Sequence, residues 1–406
     1  MDDLARLVAD ELPAAVELRH RLHAEPRLSG DEDDTAAAVA AAIGVAAERV
    51  AGTGRLLRIG PATGPAVMLR AELDALPLTE QSRLSWASTS DVMHACGHDV
   101  HCAAVMAIAR AARNVELPCG MLVVLQPREE QEPSGAADVV EDPVFAAHQP
   151  FAAIGVHVQP QLSRGLVGVS PGPVNASSDV LDISVTGRGG HGGYPHRTDD
   201  PVLAMAHVVT ALHTLVSRRV DPMAAAVLTV GEVHAGTAPN IIPEVATARA
   251  SLRALDPNDR VLLHEAAHRT VTHVAASFGC TGQMEVIEVN PMLVNDPALS
   301  RAAATRLPGG LLPAEFRSCG ADDFAFYSAA MPTLMLFVGT DDGTPGAPGL
   351  HHPLYVPSDD VIAEVASAYL AGFRAAVDLS GEPQYQAARV KVTCVTPLDE
   401  DVASTR

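Results

Sequence analysis

The chain has 406 residues, 48% of them hydrophobic, and carries a formal net charge of −21. That length exceeds what one small core serves, so two domains are expected. The acidity excludes a basic face for nucleic acid or for an anionic membrane and suits a soluble protein that handles small molecules.

The N-terminal stretch MDDLARLVADELPAAVELRHRLH is acidic and amphipathic, with helical spacing over 3–23 and again over 34–43. It lacks a basic n-region and an unbroken apolar run, so no secretory leader is expected. AVMLRAEL at 66–73, MLVVLQ at 121–126 and FAAIGVHV at 151–158 are short β-rich runs. Helical patterns over 99–113 and 134–141 separate them. Strands alternating with helices predict an α/β layer with a mainly parallel central sheet.

The pattern changes near 176. VLDISVTG at 180–187 alternates strictly, as in a strand with one solvated face. A helix at 200–218, strands at 224–233 and 245–254, a helix at 258–278 and a strand near 283–289 follow. That β-α-β-β-α-β order predicts a ferredoxin-like α+β domain, inserted at 176–290 into an α/β domain made of 1–175 and 291–406. The α/β pattern resumes with a strand at 332–339 and a helix at 360–378. From about 380 the periodicity is lost, and a loose tail is expected. Apolar runs such as 202–209 are too short to span a bilayer.

Six cysteines, at 96, 102, 119, 280, 319 and 394, show no paired spacing, which points to a reduced cytoplasmic protein. One of them stands in Met93-His94-Ala95-Cys96-Gly97-His98-Asp99. Thiolate and imidazole are the donors that borderline divalent cations such as zinc prefer. Further polar groups fall at predicted strand ends, where open α/β sheets build their sites. They are Asp74 after 66–73, Glu129 and Glu130 after 121–126, His157 in 151–158, and His351-His352 beyond 332–339.

Each group also has a plainer reading. The Cys96 loop could be a helix start around a buried structural cysteine, the glutamate pair a solvated turn, His157 a satisfied core histidine, and His351-His352 surface residues. Their joint recurrence at strand ends favours a metal site.

With these residues in place, the chain resembles the binuclear aminoacylase/carboxypeptidase metallopeptidase family, in its amidohydrolase branch of hippurate hydrolases and indole-acetyl-amino-acid hydrolases. The resemblance runs through RHRLHAEPRLSGDEDDTAAAV (19–39), LRAELDALPLTEQ (69–81), MHACGHDVHCA (93–103), QPREE (126–130) and GVHV (155–158). It continues in GRGGHGGYPH (187–196), APNIIPE (238–244), GADDFAFY (320–327) and LHHPLY (350–355).

The resemblance implies two divalent metal ions, Zn2+ or Mn2+ with Co2+ or Ni2+ as substitutes. Cys96 would bridge them, and His98, Glu130, His157 and His351 would complete the set; His352 and His94 drop out. Glu129 would be the general base acting on a metal-bridging water. Asp74 would orient a ligand histidine from behind, and Asp99 would cap the helix that follows.

His191 would donate to the tetrahedral oxyanion, Asn240 would hold substrate near it, and Arg253 would pair with a substrate carboxylate. The implied activity is cleavage of an N-acyl amino acid or a similar small amide, with a homodimer formed through the inserted lid domain. A dipeptidase or aminoacyl-carboxypeptidase, a hydrolase with Cys96 as nucleophile and a non-catalytic binding protein are the alternatives.

Two departures stand out. Gln131-Glu132-Pro133-Ser134-Gly135 replaces a run of glycines after the glutamate pair, and Asp91 stands where small or apolar residues are expected.

Overall fold

A computed structural model describes residues 2–391. Among them the chain forms two compact units, one of residues 2–172, 294–316 and 326–391, the other of residues 173–293 and 317–325.

The first unit is built on an eight-stranded sheet ordered Ala47–Val50, Gly54–Ile59, Gly120–Gln126, Ala66–Glu72, Pro150–Ser163, Thr333–Asp341, Leu166–Gly168, Leu312–Ala314. The middle of the sheet is parallel: Gly120–Gln126, Ala66–Glu72, Pro150–Ser163 and Thr333–Asp341 run in one direction. Every residue of Ala66–Glu72 and Gly120–Gln126 is buried. Continuous apolar runs, rather than alternation, are what strands covered on both faces require. Helices Asp2–Ala24, His98–Ala112 and Val361–Leu379 supply buried apolar side chains to the same core.

The antiparallel edge, Ala47–Val50 paired with Gly54–Ile59, does not stand out in the sequence. Its strands are short and carry Arg49, Arg55 and Arg58. Asp33 holds the first two, and main-chain carbonyls hold Arg58.

The loose tail expected from about 380 needs correction. A further helix covers Pro383–Lys391. Tyr385 anchors it, fully buried, its hydroxyl donating to Asp296 Oδ1 at 2.8 Å. Burial of Tyr385 compensates for the weak periodicity of PQYQAARVK. The rest of the expected tail lies outside the described residues.

The second unit has a four-stranded antiparallel sheet ordered Ala226–Ala235, Val245–Ala254, Ser177–Thr186, Thr281–Asn290. In chain order the strands and helices run β-α-β-β-α-β, the ferredoxin-like arrangement. The single helix expected at 200–218 is two helices, Pro201–Leu212 and Leu215–Arg219. Helices Pro201–Leu212 and Pro257–Ser277 begin the same way, with an aspartate cap (Asp200, Asp256) followed by proline at the first helical position. Their buried faces, Ala204, Met205 and Val208 with Leu263, Ala267 and Val271, share one core with Leu181, Ile183 and Val185 of the sheet.

Candidate metal centre

The carboxyl ends of the parallel strands in the first unit bring the expected side chains together. Donor atoms of Cys96, His98 and His157 lie within 4.8 Å of one another, as do those of Cys96, Glu130 and His351, and those of His98, Glu129 and Glu130. Cys96 is shared by the first two groups, and His98 and Glu130 tie the third group to them. His352 and His94 belong to none. The Nδ1 atom of His352 accepts the Leu354 amide at 3.2 Å.

Gly97 allows the tight Cys96–His98 step. Its φ of +85° is left-handed, and a Cβ there would lie 2.6 Å from Val158 Cγ2. His98 then opens helix His98–Ala112. The other end of the cluster holds a second unusual backbone, His351 at φ +62°. Such a conformation in a non-glycine residue costs about 1 kcal/mol. The His351 amide donates to the Ala95 carbonyl at 2.9 Å, which ties the two loops together.

Hydrogen bonds set the ring orientations. His98 Nδ1–H donates to the main-chain carbonyl of Asp74 at 2.8 Å, which turns Nε2 toward the cluster. That Nε2 is buried and makes no hydrogen bond among the described residues. His157 Nδ1–H donates to the Val158 carbonyl at 2.7 Å, and its Nε2 lies 3.4 Å from Cys96 Sγ. His351 Nε2 approaches Glu130 Oε1 at 3.3 Å, and Glu129 Oε2 is 3.8 Å from His98 Nε2. A buried imidazole nitrogen without a hydrogen-bond partner among the described residues, a shared sulfur and two carboxylates form a donor set that suits divalent cations.

Asp74 reaches His98 mainly through its backbone, because its Oδ1 is 3.6 Å from Nδ1. Its Oδ2 instead accepts Ser29 Oγ–H at 2.7 Å and the Glu130 amide at 2.9 Å.

The electrostatics follow from burial. Burial lowers the affinity of His98 for a proton, but Asp74, Glu72 and Glu130 outweigh it and push the pKa up to about 10. Burial, then the negative charges of Glu130 and Glu129, push the Cys96 thiol well above its ordinary value. A nucleophilic cysteine needs the opposite environment, one that favours thiolate at neutral pH.

Asp99 is not a helix cap. Gly97 occupies the cap position, and Asp99 lies inside the first turn, fully buried. Its Oδ2 accepts from Arg19 Nε and His23 Nδ1, both at 3.0 Å. Arg19 and His23 outweigh burial and hold the Asp99 carboxyl well below the usual range. Arg19 also donates to the Pro357 carbonyl at 2.6 Å and to Asp359 at 2.7 Å. The N-terminal helix thereby braces both the Cys96 loop and the segment after His351.

A second support is absent from the sequence reading. Val158 N–H donates to His101 Nε2 at 3.0 Å, so His101 Nδ1–H must donate to Glu72, 2.9 Å away. Arg70 pairs with the same Glu72. These polar residues sit on otherwise apolar elements, and only that incongruity could have flagged them.

In the second unit the structure joins His191 and Asn240. Gly190–His191 pairs with Ile241–Ile242, and Gly192 N–H donates to the Asn240 carbonyl at 2.8 Å. His191 is exposed, and its Nδ1 accepts the Gly193 amide at 3.0 Å, which leaves the proton on Nε2. Arg253 donates to the Cys319 carbonyl at 3.2 Å and is half-buried.

Residues 68–373 match the model of peptidase family M20/M25/M40. The chain belongs to this family. It is 33% identical over 368 residues to the N-acetylcysteine deacetylase of Bacillus subtilis (strain 168), covering 88% of this chain and 94% of that relative. It is 32% identical over 315 residues to the N-acetyldiaminopimelate deacetylase of Shouchella clausii (strain KSM-K16), covering 76% of this chain and 82% of that one.

Among solved structures, a dinuclear metal-binding M20 peptidase of Bacillus subtilis superposes with a TM-score of 0.77 at 29% identity, covering 91% of this chain and 99% of that one. The protein is therefore a metal-dependent amidohydrolase of the M20 family, with a centre for two divalent ions and the family's α/β fold. No helix among the described residues is long and apolar enough to cross a membrane.

Proposed function

We propose that the protein hydrolyses the amide bond of N-acyl amino acids, releasing a carboxylic acid and the free amine. The carrying observation is Glu129, side chain about 10% exposed, beside a donor cluster in which one cysteine is shared. Two deacetylase relatives that act on N-acetylated amino acids support this substrate class.

His98 and His157 would hold one ion, Glu130 and His351 the other, with Cys96 between them. Zn2+ or Mn2+ suits this mixed sulfur, nitrogen and oxygen set. Bound there, the ions would polarise the scissile carbonyl and lower the pKa of water.

The remaining steps fall to side chains. Glu129 takes the proton of the attacking water and returns it to the leaving nitrogen. Asp74 keeps the His98 ring oriented through its carbonyl and holds the Glu130 amide. His191 Nε2–H donates to the oxygen that gains negative charge. Asn240, held beside His191 by the Gly192 amide, holds substrate next to it, and Arg253 pairs with the amino acid's carboxylate.

The inserted unit serves as lid and dimerisation surface. Strand Ala226–Ala235 lies at an edge of its sheet with Val227 and Val233 exposed, and helix Pro201–Leu212 exposes Val202 and Leu203. The reduced thiols Cys96, Cys102, Cys280 and Cys319 suit a cytoplasmic setting.

The test is release of amine by metal-reconstituted protein from N-acetyl, N-benzoyl and long-chain N-acyl amino acids and from dipeptides. N-acyl amino acids are expected to give the highest kcat/KM. A preference for dipeptides would assign the protein as a dipeptidase instead. Turnover that survives EDTA but not iodoacetamide would return Cys96 to the role of nucleophile.

A further inference from the structure

We infer that Glu32 is a positioning residue that, together with Asp74, clamps the segment Arg128–Glu130 and so aims Glu129; this rests on the reading of Glu129 as base and Glu130 as ligand. Glu32 sits at the cap position of helix Asp33–Ile43, yet its side chain makes no cap hydrogen bond. Capping that helix would stabilise it by about 1 kcal/mol. The carboxylate turns inward instead and is fully buried. Its Oε1 accepts the Arg128 amide at 2.9 Å, and its Oε2 accepts Thr53 Oγ–H at 2.7 Å. Burying a carboxylate is costly unless it is well hydrogen-bonded, so this placement calls for a local reason.

Arg128 supplies the reason. Its φ is +50°, a left-handed conformation in a non-glycine residue, at a cost of about 1 kcal/mol. Both of its main-chain polar groups are gripped: the amide by Glu32, and the carbonyl by Gly135 N–H at 3.1 Å. Gly135 has no alternative, because a Cβ there would fall 1.7 Å from the Pro127 carbonyl oxygen. Two residues beyond Arg128, the Glu130 amide donates to Asp74 Oδ2 at 2.9 Å. The base therefore lies between two amides, each bound to a buried carboxylate through a charge-assisted hydrogen bond. Its backbone cannot turn without breaking one of them. The strained residue immediately before the base is held from the helix start at Glu32, distant in sequence.

Three substitutions test this. In Glu32→Gln the amide oxygen still accepts from Arg128 and the NH2 can donate to Thr53, so the clamp persists. Glu32→Asp is a methylene too short, and Glu32→Ala removes the grip. Glu32→Ala and Glu32→Asp are expected to lower kcat on an N-acyl amino acid by about 10- to 100-fold, the scale of an ångström's misplacement. KM should stay within about threefold of wild type and Glu32→Gln near wild type, since the loss is of aim rather than of substrate binding.

Amide hydrogen exchange gives a readout independent of activity. The Arg128 and Glu130 amides should be protected in wild type. The Arg128 amide should exchange at least about tenfold faster in Glu32→Ala, while strand Val245–Ala254 is unchanged. Fast exchange at Arg128 in wild type would overturn the clamp. So would a wild-type kcat in Glu32→Ala, or an equal fall in Glu32→Ala and Glu32→Gln. If Glu32→Ala does not fold, the contrast between Glu32→Gln and Glu32→Asp decides. If wild type hydrolyses no amide, the functional reading fails, and exchange together with Zn2+ titration of the three variants still judges the clamp.

Discussion

The two units hold their chemical residues in different ways. In the first, Cys96, His98 and His157 are buried, and each histidine ring is fixed by a hydrogen bond to a main-chain carbonyl. Behind them lie Arg19, His23, Arg70, Glu72, Asp99 and His101, all fully or almost fully buried. In the second, His191 is exposed and is oriented by one neighbouring amide. The proposed cation ligands must keep narrow distances before an ion arrives, so the fold surrounds them with a buried, hydrogen-bonded polar network. The oxyanion donor proposed for His191 needs only its proton on the right nitrogen, which a glycine-rich turn can ensure. Damage to the first region should therefore reach metal content and stability, whereas damage to the second should reach rate alone.

The largest expected effect is Glu129→Gln. Loss of the base should lower kcat by about 10²- to 10⁴-fold while elemental analysis still finds two ions per chain. A near-native kcat would remove Glu129 from that role. Next comes His191→Ala, expected to cost about 10²- to 10³-fold in kcat with no change in Tm. A clear drop in Tm would show that the exposed turn is more deeply embedded than its single hydrogen bond indicates.

Glu130→Ala probes the buried side of the comparison. Its metal content should fall measurably, and full occupancy would refute its place as a ligand.

The smallest effect concerns pH. Burial opposes the charging of His23, but Asp99 and Glu80 outweigh it and raise its pKa to about 9. A group whose folded pKa lies above its unfolded value, about 6.5, stabilises fully below the unfolded value. That contribution fades as pH rises through the folded one. Wild type should accordingly lose at most about 3 kcal/mol between pH 6.5 and 9 from this group. His23→Asn should show a flatter Tm profile across that window, and an identical slope would exclude His23 as its source.

Much of the site was legible because its residue types are costly to bury without a purpose. A cysteine between two histidines, a glutamate pair and isolated histidines at strand ends announce chemistry from composition and spacing alone. What escaped were the supports. Glu72 reads as noise in a buried strand until Arg70 and His101 are seen against it. Asp99 looks like a cap until Arg19 and His23 reach it from the N-terminal helix. Glu32 sits in the acidic run Asp31–Asp34, where a solvated face is the natural reading.

By itself the sequence determined most of the elements, the parallel core with its continuous apolar runs, the ferredoxin-like order of the inserted segment and which residues are proposed as donors. These depend on local periodicity and residue chemistry. Only the tertiary structure decided which nitrogen of each histidine faces the cluster, that Asp99 braces rather than caps, that Tyr385 recruits a last helix, and that Glu32 grips Arg128. Apart from the bond from His157 to the neighbouring Val158 carbonyl, each of these is a hydrogen bond between groups far apart in the chain, and nothing in local sequence specifies the partner until folding brings it within about 3 Å.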